Sequence, residues 1–190
     1  MRYACLGTQI VNEIHFADGS EKRGIMGGTI FALAGLQQYC ADSILFADRG
    51  SDWEQYFGKW FRDNGISEAG LDPIVQRQTF SELHYLPTGE WKENMFFGPA
   101  DRKAENLRLT EQMLDALTDE TRGVYLYESI HNAAFWALVE KRLPAGGPKR
   151  MLELLTAECV AENLEPFCRN ILPLIDIYSL NRTEAYPLFG

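Results

Sequence analysis

Apolar and polar positions alternate along this chain at two different periods, and the switches between them mark its elements. Tyr3-Ala-Cys-Leu-Gly-Thr8 is short, apolar and ends near a glycine, which predicts a buried strand running into a loop. Residues 13–17 alternate, Asp18-Gly19 signals a turn, and alternation resumes over 23–26, so a half-exposed hairpin is expected. Gly27 and Gly28 then open a run to Cys40. Its apolar residues Ile30, Phe31, Leu33, Ala34 and Leu36 are too dense for a surface helix and predict a buried one. Residues 43–47 read as another apolar strand, closed by the polar stretch 48–52. Aromatic residues at 53, 56, 57, 60 and 61 recur at helical spacing as far as Asn64-Gly65, a helix stop.

The stretch 74–98 changes character. Residues 74–86 and 91–97 are rich in β-branched and aromatic types and flank Pro87-Thr-Gly-Glu90, which predicts a second exposed hairpin. Its aromatic residues Phe80, Tyr85, Trp91, Phe96 and Phe97 are dense enough to form one apolar face, turned either to a partner or to the body of the chain. Beyond it the pattern predicts a helix over 109–117, a strand over 123–128, a helix over 133–143 and a loop over 144–148. A strand over 150–155, a helix over 162–172, a strand over 175–180 and a helix from 181 complete the series. Such alternation specifies an α/β fold, a doubly wound and mostly parallel sheet flanked by helices, with the two hairpins (about 13–26 and 74–98) as a small β-lid outside it.

Parallel sheets bind ligands beyond the carboxyl ends of their strands. Asn12, expected after the first strand, can donate to and accept from a ligand hydroxyl, or satisfy its own loop. Gly27 and Gly28 allow close approach to the backbone at a positive helix end, or form a plain tight turn. Glu128 ends an apolar strand, where a carboxylate can hold hydroxyls or a cation, or simply be solvated. Asn181 and Glu184 have the spacing of a helix cap. Their other reading is an amide and a carboxylate that organise Mg²⁺ through water at the edge of a site. Neither a GxGxxG fingerprint nor a Walker loop is present.

The chain has 190 residues, 46% of them hydrophobic, enough for a core of its own. It contains no apolar run of about 18 residues, so no membrane span is expected, and its first residues lack the apolar stretch of a secretory signal. Its net charge of −9 repels a phosphate backbone and argues against nucleic acid as a partner. Cys5, Cys40, Cys159 and Cys168 form no CxxC pair and are expected to be reduced, mostly buried thiols of a cytoplasmic protein. His15, His84 and His131 show no zinc-like spacing along the chain.

Taken in order, these residues resemble the amino-terminal part of the ribokinase-like (PfkB) carbohydrate kinases over essentially the whole chain. Gly7 with Asn12 looks like that family's sugar-binding start. GGTIFALAGLQQYCADSILFADRGSD looks like its first signature, ending in Gly50-Ser-Asp52. Tyr127-Glu128 resembles the strand end that carries a sugar-contacting acid, and Asn181-Arg-Thr-Glu184 resembles the family's Asn-x-x-Glu segment. Residues 151–159 with 177–181 are similar to a less studied branch.

The resemblance implies transfer of the ATP γ-phosphoryl group to a hydroxymethyl group of a sugar, nucleoside or related alcohol, with ATP and Mg²⁺ as cofactors and a homodimer formed through the lid. It implies that Asn12, Gly27, Gly28 and Glu128 line the acceptor site, and that Asn181 and Glu184 act at the phosphate and Mg²⁺ end. Asn12 stands where the family usually has Asp, and Ala32 where it has a sugar-contacting Asn. The family's Gly-Ala-Gly-Asp segment, which carries the anion hole and general base, is absent from these 190 residues. The chain is therefore expected to be the front of a longer kinase with no catalytic residue of its own, inactive alone. The alternative is a complete binding or dimerisation module derived from the same fold.

Overall fold

The computed structural model describes residues 2–73, 77–97, 110–144 and 146–190. In chain order they form β1 (Tyr3–Gly7), β2 (Gln9–His15), β3 (Glu21–Gly28), α1 (Thr29–Gln37) and β4 (Ser43–Arg49). A π-helical turn (Glu54–Gly58) leads into α2 (Lys59–Asp63), followed by β5 (Leu71–Pro73), β6 (Thr79–Tyr85) and β7 (Trp91–Phe97). Then come a 3₁₀ turn (Met113–Ala116), β8 (Gly123–Tyr127), α3 (Ala133–Arg142), β9 (Lys149–Glu153), a broken helical segment containing α4 (Leu164–Pro166), β10 (Ile177–Ser179) and α5 (Arg182–Phe189). No helix among the described residues is long and apolar enough to cross a membrane.

Two sheets result. One has six strands in the order β10-β9-β8-β1-β4-β5, every neighbouring pair parallel. Its central strands are apolar at consecutive positions because both faces are covered. Ala4, Leu6, Ile44, Phe46, Val124 and Leu126 point into one core with Phe135, Val139 and Phe167. The intervening Cys5, Leu45 and Ala47 point into a second core with Ile30, Leu33, Trp53, Phe57 and Phe61. The in-register pairs Ala4↔Ile44 and Ala4↔Val124 keep each set on its own face across three strands.

The second sheet, β3-β2-β6-β7, is the expected lid, but it is one sheet rather than two separate hairpins. The antiparallel pairs β2/β3 and β6/β7 are joined by a parallel β2/β6 pairing from Ile10↔Thr79 to His15↔His84. Only Thr8 separates β1 from β2, so the chain passes from the main sheet into the lid without a loop. The first lid hairpin therefore spans 9–28 rather than 13–26. Its early start is masked in the sequence because Ile10 and Val11 are both buried and break the alternation. The second spans 79–97, and residues 74–76 and 98 of the predicted segment lie outside the described residues.

A buried polar clasp fixes the lid to the body. The Trp53 indole N–H donates to Gln9 Oε1 (2.9 Å), and Gln9 Nε2 donates to the Asp48 carbonyl (2.9 Å). Gln78 donates through Nε2 to the Gln9 carbonyl (3.1 Å) and through its backbone N–H to Asp52 Oδ1 (2.7 Å), while Gly50 N–H donates to Gln78 Oε1 (2.9 Å). A Cβ on Gly50 would collide with the Gln78 backbone nitrogen. Gly50-Ser-Asp52 thus acts here as the anchor for the strand that enters β6.

Several expectations are corrected. The helix predicted over 109–117 is a single 3₁₀ turn among the described residues, because Thr118-Asp119 follow at once and the chain must enter β8. The helix over 162–172 is a patchwork of 3₁₀, α and π turns, with Pro166 and Pro173 denying it backbone donors. β5 is not predicted by the pattern, β9 starts and ends earlier than the strand expected over 150–155, and β10 is shorter than the strand expected over 175–180. α1 is only half-buried: Ile30 and Leu33 face the core, whereas Phe31 is 60% exposed. The aromatic residues of the lid do not share one face. Phe80 packs edge-on against Tyr56 (5.5 Å between ring centres) on one face of the lid, while Tyr85 and Trp91 are partly exposed on the other. The side chains of Phe96 and Phe97 lie outside the described residues. Cys5 and Cys159 are buried, Cys40 is half-buried, Cys168 is exposed, and all four are free thiols.

Candidate functional site

Where the carboxyl edge of the parallel sheet meets the lid, a cleft of about 860 Å³ opens. Ile10, Asn12, Leu83, Tyr85, Trp91 and Glu93 form its roof. The outer side of α1, with Phe31, Ala32, Gly35 and Tyr39, forms one wall. Tyr125, Tyr127 and Glu153 from the ends of β8 and β9 form its floor, and Thr156, Asn181 and Glu184 close the far end. A further 800 Å³ under the lid tip shares Trp91, Glu93 and Thr156 with it, so the two are one elongated groove. A separate 440 Å³ cavity between Leu117 and Pro148 lies at the opposite, amino edge of β8 and β9, away from the strand ends at which α/β sheets bind ligands.

The period of two builds the floor. Val124 and Leu126 enter the core, so Tyr125 and Tyr127 emerge on the other face at the strand end. The Tyr125 hydroxyl donates to Glu153 Oε2 (2.6 Å). Burial pushes the Tyr127 phenol well above its ordinary range, and the nearby carboxylates of Glu93, Glu153, Glu184 and Glu128 push it further. Burial, then the bond to Glu153, does the same for Tyr125. Both phenols are thus held as neutral hydrogen-bond donors. The Ser81 hydroxyl donates to Glu93 in the roof. Glu93, Glu153 and Glu184 make the groove acidic, and among the described residues no Lys, Arg or His lines its main chamber.

Asn12 is placed differently from expectation. It lies in the middle of β2, not in a loop, paired with Ser81 of β6 and Ile25 of β3, and it is 6% exposed. A Cβ on Gly27 would run into the Asn12 side-chain amide, so glycine at 27 makes room for that amide at the groove. Gly27 itself does not line the groove. Gly28 does, and it precedes α1 with φ 62° and ψ −141°, a conformation that glycine alone adopts readily. A Cβ there would sit 2.5 Å from the Thr8 carbonyl oxygen. Thr29 donates to that carbonyl through both its N–H and its hydroxyl (3.0 Å each), which ties the start of α1 to the β1–β2 junction.

Asn181 and Glu184 form the reciprocal cap of α5. Asn181 Oδ1 accepts from Glu184 N–H (3.0 Å), and Glu184 Oε2 accepts from Asn181 N–H (2.8 Å). Glu184 Oε1 also accepts from the Thr156 hydroxyl (2.8 Å), so a buried carboxylate is oriented at the groove's end while serving as a helix cap. Glu128 is the exception. It is 4% exposed, its Oε1 accepts from Ser129 N–H (2.9 Å), and it does not line the groove. The structure brings together Asn12, Gly28, Asn181 and Glu184, and puts Tyr127 at the place expected of Glu128. Tyr127 and Glu153 could have been found in the sequence as the last residues of apolar strands. Glu93, supplied by a lid hairpin, carries no such signal.

No protein-family model matches this sequence, and no curated protein sequence does. Solved structures do match its fold. A nucleoside kinase of Methanocaldococcus jannaschii, an archaeal member of the ribokinase family, superimposes with a TM-score of 0.66 at 12% identity, over 96% of this chain and 61% of that one. Fructokinase with bound ATP from Xylella fastidiosa gives 0.69 at 15% identity, over 93% and 56%. A Burkholderia thailandensis nucleoside kinase in complex with inosine gives 0.66 at 11%, over 97% and 62%. The chain therefore spans about three fifths of the length of these kinases, and its fold is the ribokinase-like α/β fold.

Proposed function

We propose that this chain forms the acceptor-binding and lid portion of an ATP-dependent kinase acting on a hydroxymethyl group of a neutral small molecule. The observation that carries this is the groove itself: a buried amide, Asn12, and two neutral tyrosine phenols converge on one chamber whose walls are aromatic. An amide and phenols suit hydroxyl groups, and Phe31, Tyr39, Tyr85 and Trp91 suit a flat ring. Glu93, Glu153 and Glu184 disfavour an acceptor that already bears a phosphate. A nucleoside fits these features better than a bare polyol, and Ala32, apolar in the α1 wall, points the same way.

ATP would be the phosphoryl donor, and the described residues assign no contact to its adenine. Asn181 and Glu184 would stand nearest the phosphates. Each Glu184 oxygen already accepts one hydrogen bond, which leaves a lone pair for a water of hydrated Mg²⁺. With no Gly-Ala-Gly-Asp segment among the 190 residues, the chain's own part is binding rather than transfer. Four free thiols suit a cytoplasmic protein. Among the described residues the lid ends in two edge strands, β3 and β7, so its edges suit pairing with a second copy. Light scattering at micromolar concentration should give a dimer, and a strictly monomeric mass would remove the pairing.

The binding reading is tested by titrating adenosine, inosine, ribose and fructose against the chain and following tryptophan fluorescence, with Trp91→Phe as the control for signal from the groove. A nucleoside should give saturable quenching. Asn12→Ala should weaken it about tenfold or more, since an unmet buried polar partner costs about 1–3 kcal/mol. Absence of saturation by every compound, or an Asn12→Ala chain that binds as the parent does, would sink it.

A further inference from the structure

His15 and His84 are 69 positions apart in a sequence with no zinc-like spacing, yet they meet across the β2/β6 pair. Their imidazole rings stack with centres 4.5 Å apart and planes inclined by 5°. Glu82 lies two residues before His84 on the same strand, and its Oε2 is 3.4 Å from His84 Nε2. One donor atom from each of His15, Glu82 and His84 lies within 4.8 Å of the other two. The cluster is on the reverse of the lid. Ser81, Leu83 and Tyr85 alternate toward the groove side, while Phe80, Glu82 and His84 take the side on which Phe80 meets Tyr56.

We propose that His15, Glu82 and His84 bind a divalent metal ion of the zinc class, pinning β2 to β6 at the outer end of the lid. Two imidazoles and a carboxylate suit Zn²⁺, Co²⁺ or Ni²⁺ rather than the all-oxygen preference of Mg²⁺ or Ca²⁺. Donors around zinc bonded at about 2.0–2.1 Å sit roughly 3.3 Å apart in a tetrahedron, so the three side chains must draw in by up to about 1.5 Å. They are able to do so, because each is between about a quarter and two fifths exposed rather than locked in a core. A partner for orientation is present. His15 Nδ1 lies 3.3 Å from Glu21 Oε1, an arrangement in which the carboxylate holds the ring and leaves Nε2 for the metal. Register also sets Glu13 beside Glu82 on the same side. The opposing charges are Arg23, which holds the other oxygen of Glu21 (3.0 Å), and Lys92, paired in register with His84. Acidic groups outnumber basic ones around the histidines, as a cation requires.

Two structural consequences separate this site from the groove. It lies on the other face of the lid, and among the described residues it joins the one parallel pair in that sheet, the pair on which the union of the two hairpins depends.

The test uses the untagged chain carrying Cys168→Ser, which removes the exposed thiol as a competing ligand. Zn²⁺ is titrated by calorimetry, and imidazole proton signals are followed by NMR. The expected result is saturation at one ion per chain, with the His15 and His84 ring signals shifting and those of the exposed His131 unmoved. His15→Ala and His84→Ala should each weaken binding at least about tenfold, Glu21→Gln should weaken it about tenfold, and His131→Ala should leave it unchanged. No saturable binding overturns the site. So does binding that persists in the His15→Ala/His84→Ala chain, or ring signals of His15 and His84 that stay still in the Cys168→Ser chain, whose histidines are intact.

Discussion

Each central strand of the parallel sheet sends side chains into two cores, Ala4 and Leu6 one way and Cys5 the other, whereas among the described residues the lid sheet touches a core only through its base. There Val11, Met26 and Phe80 join the cluster built by α1 and the Trp53–Phe61 segment. Farther out the lid carries Asn12, Glu13, His15, Glu82, His84 and Glu93, and its attachment rests on the polar clasp of Gln9, Gln78 and Asp52. The main sheet is held by area removed from water, which is non-directional and large. The lid is held by directional bonds, each worth far less but each specifying a position. A sheet of the second kind can present polar groups on both faces, one to a groove and one to solvent, which a sheet buried on both sides cannot.

The contrast is open to direct attack. Phe46→Ala, at a fully buried position in the main sheet, should cost about 3–5 kcal/mol in denaturant unfolding. An equal loss from Tyr85→Ala in the lid would erase the distinction. Gln78→Ala should leave the Gly50 N–H and the Gln9 carbonyl without their partners, at about 1–3 kcal/mol for each group left buried and unpaired. Its effect should be local: amide hydrogen exchange should quicken in β2 and β6 and stay slow in β1 and β4. Uniform acceleration in all four strands would show that the lid and the body unfold as one.

The smallest effect belongs to an edge of the main sheet. Lys149 (2.9 Å), the Arg150 N–H (2.9 Å) and the Arg150 side chain hold the Asp176 carboxyl down at about 2, against an ordinary 3.8. A lowered folded-state value means that this contribution is complete above about pH 4 and disappears as the pH falls through about 2. Because the pair is exposed, Asp176→Asn should cost under about 1 kcal/mol at neutral pH and flatten the acid limb of a stability–pH curve. An unchanged acid limb would show that the pair contributes nothing.

Legibility in the sequence follows the same division. β1, β4 and β8 announce themselves as apolar runs, because a strand buried on both faces must be apolar throughout. β5 does not, since Leu71-Asp-Pro73 is too short to carry a period. Of the site, Asn12, Gly28, Asn181 and Glu184 were legible as polar or glycine residues near expected strand ends, and they do converge. Glu128 satisfied the same rule and is turned away, with Tyr127 in its place, because one residue's difference in position along a strand reverses the face. Trp91 was legible only as one of the lid's aromatic residues, and Glu93 and the His15–His84 stack had no local signal at all.

Residue spacing alone determined the two periods, the helix stop at Asn64-Gly65 and the cap at Asn181-Glu184, since each depends on neighbours within a few positions and on backbone preferences they share. Pairing across long separations was decided only in three dimensions. β2 lies beside β6 because a clasp 69 residues wide, from Gln9 to Gln78, sets their register, and that register alone brings Asn12 to the groove and His15 to His84. No periodicity can encode such a contact, because its free energy arises from atoms that become neighbours only once the chain has folded.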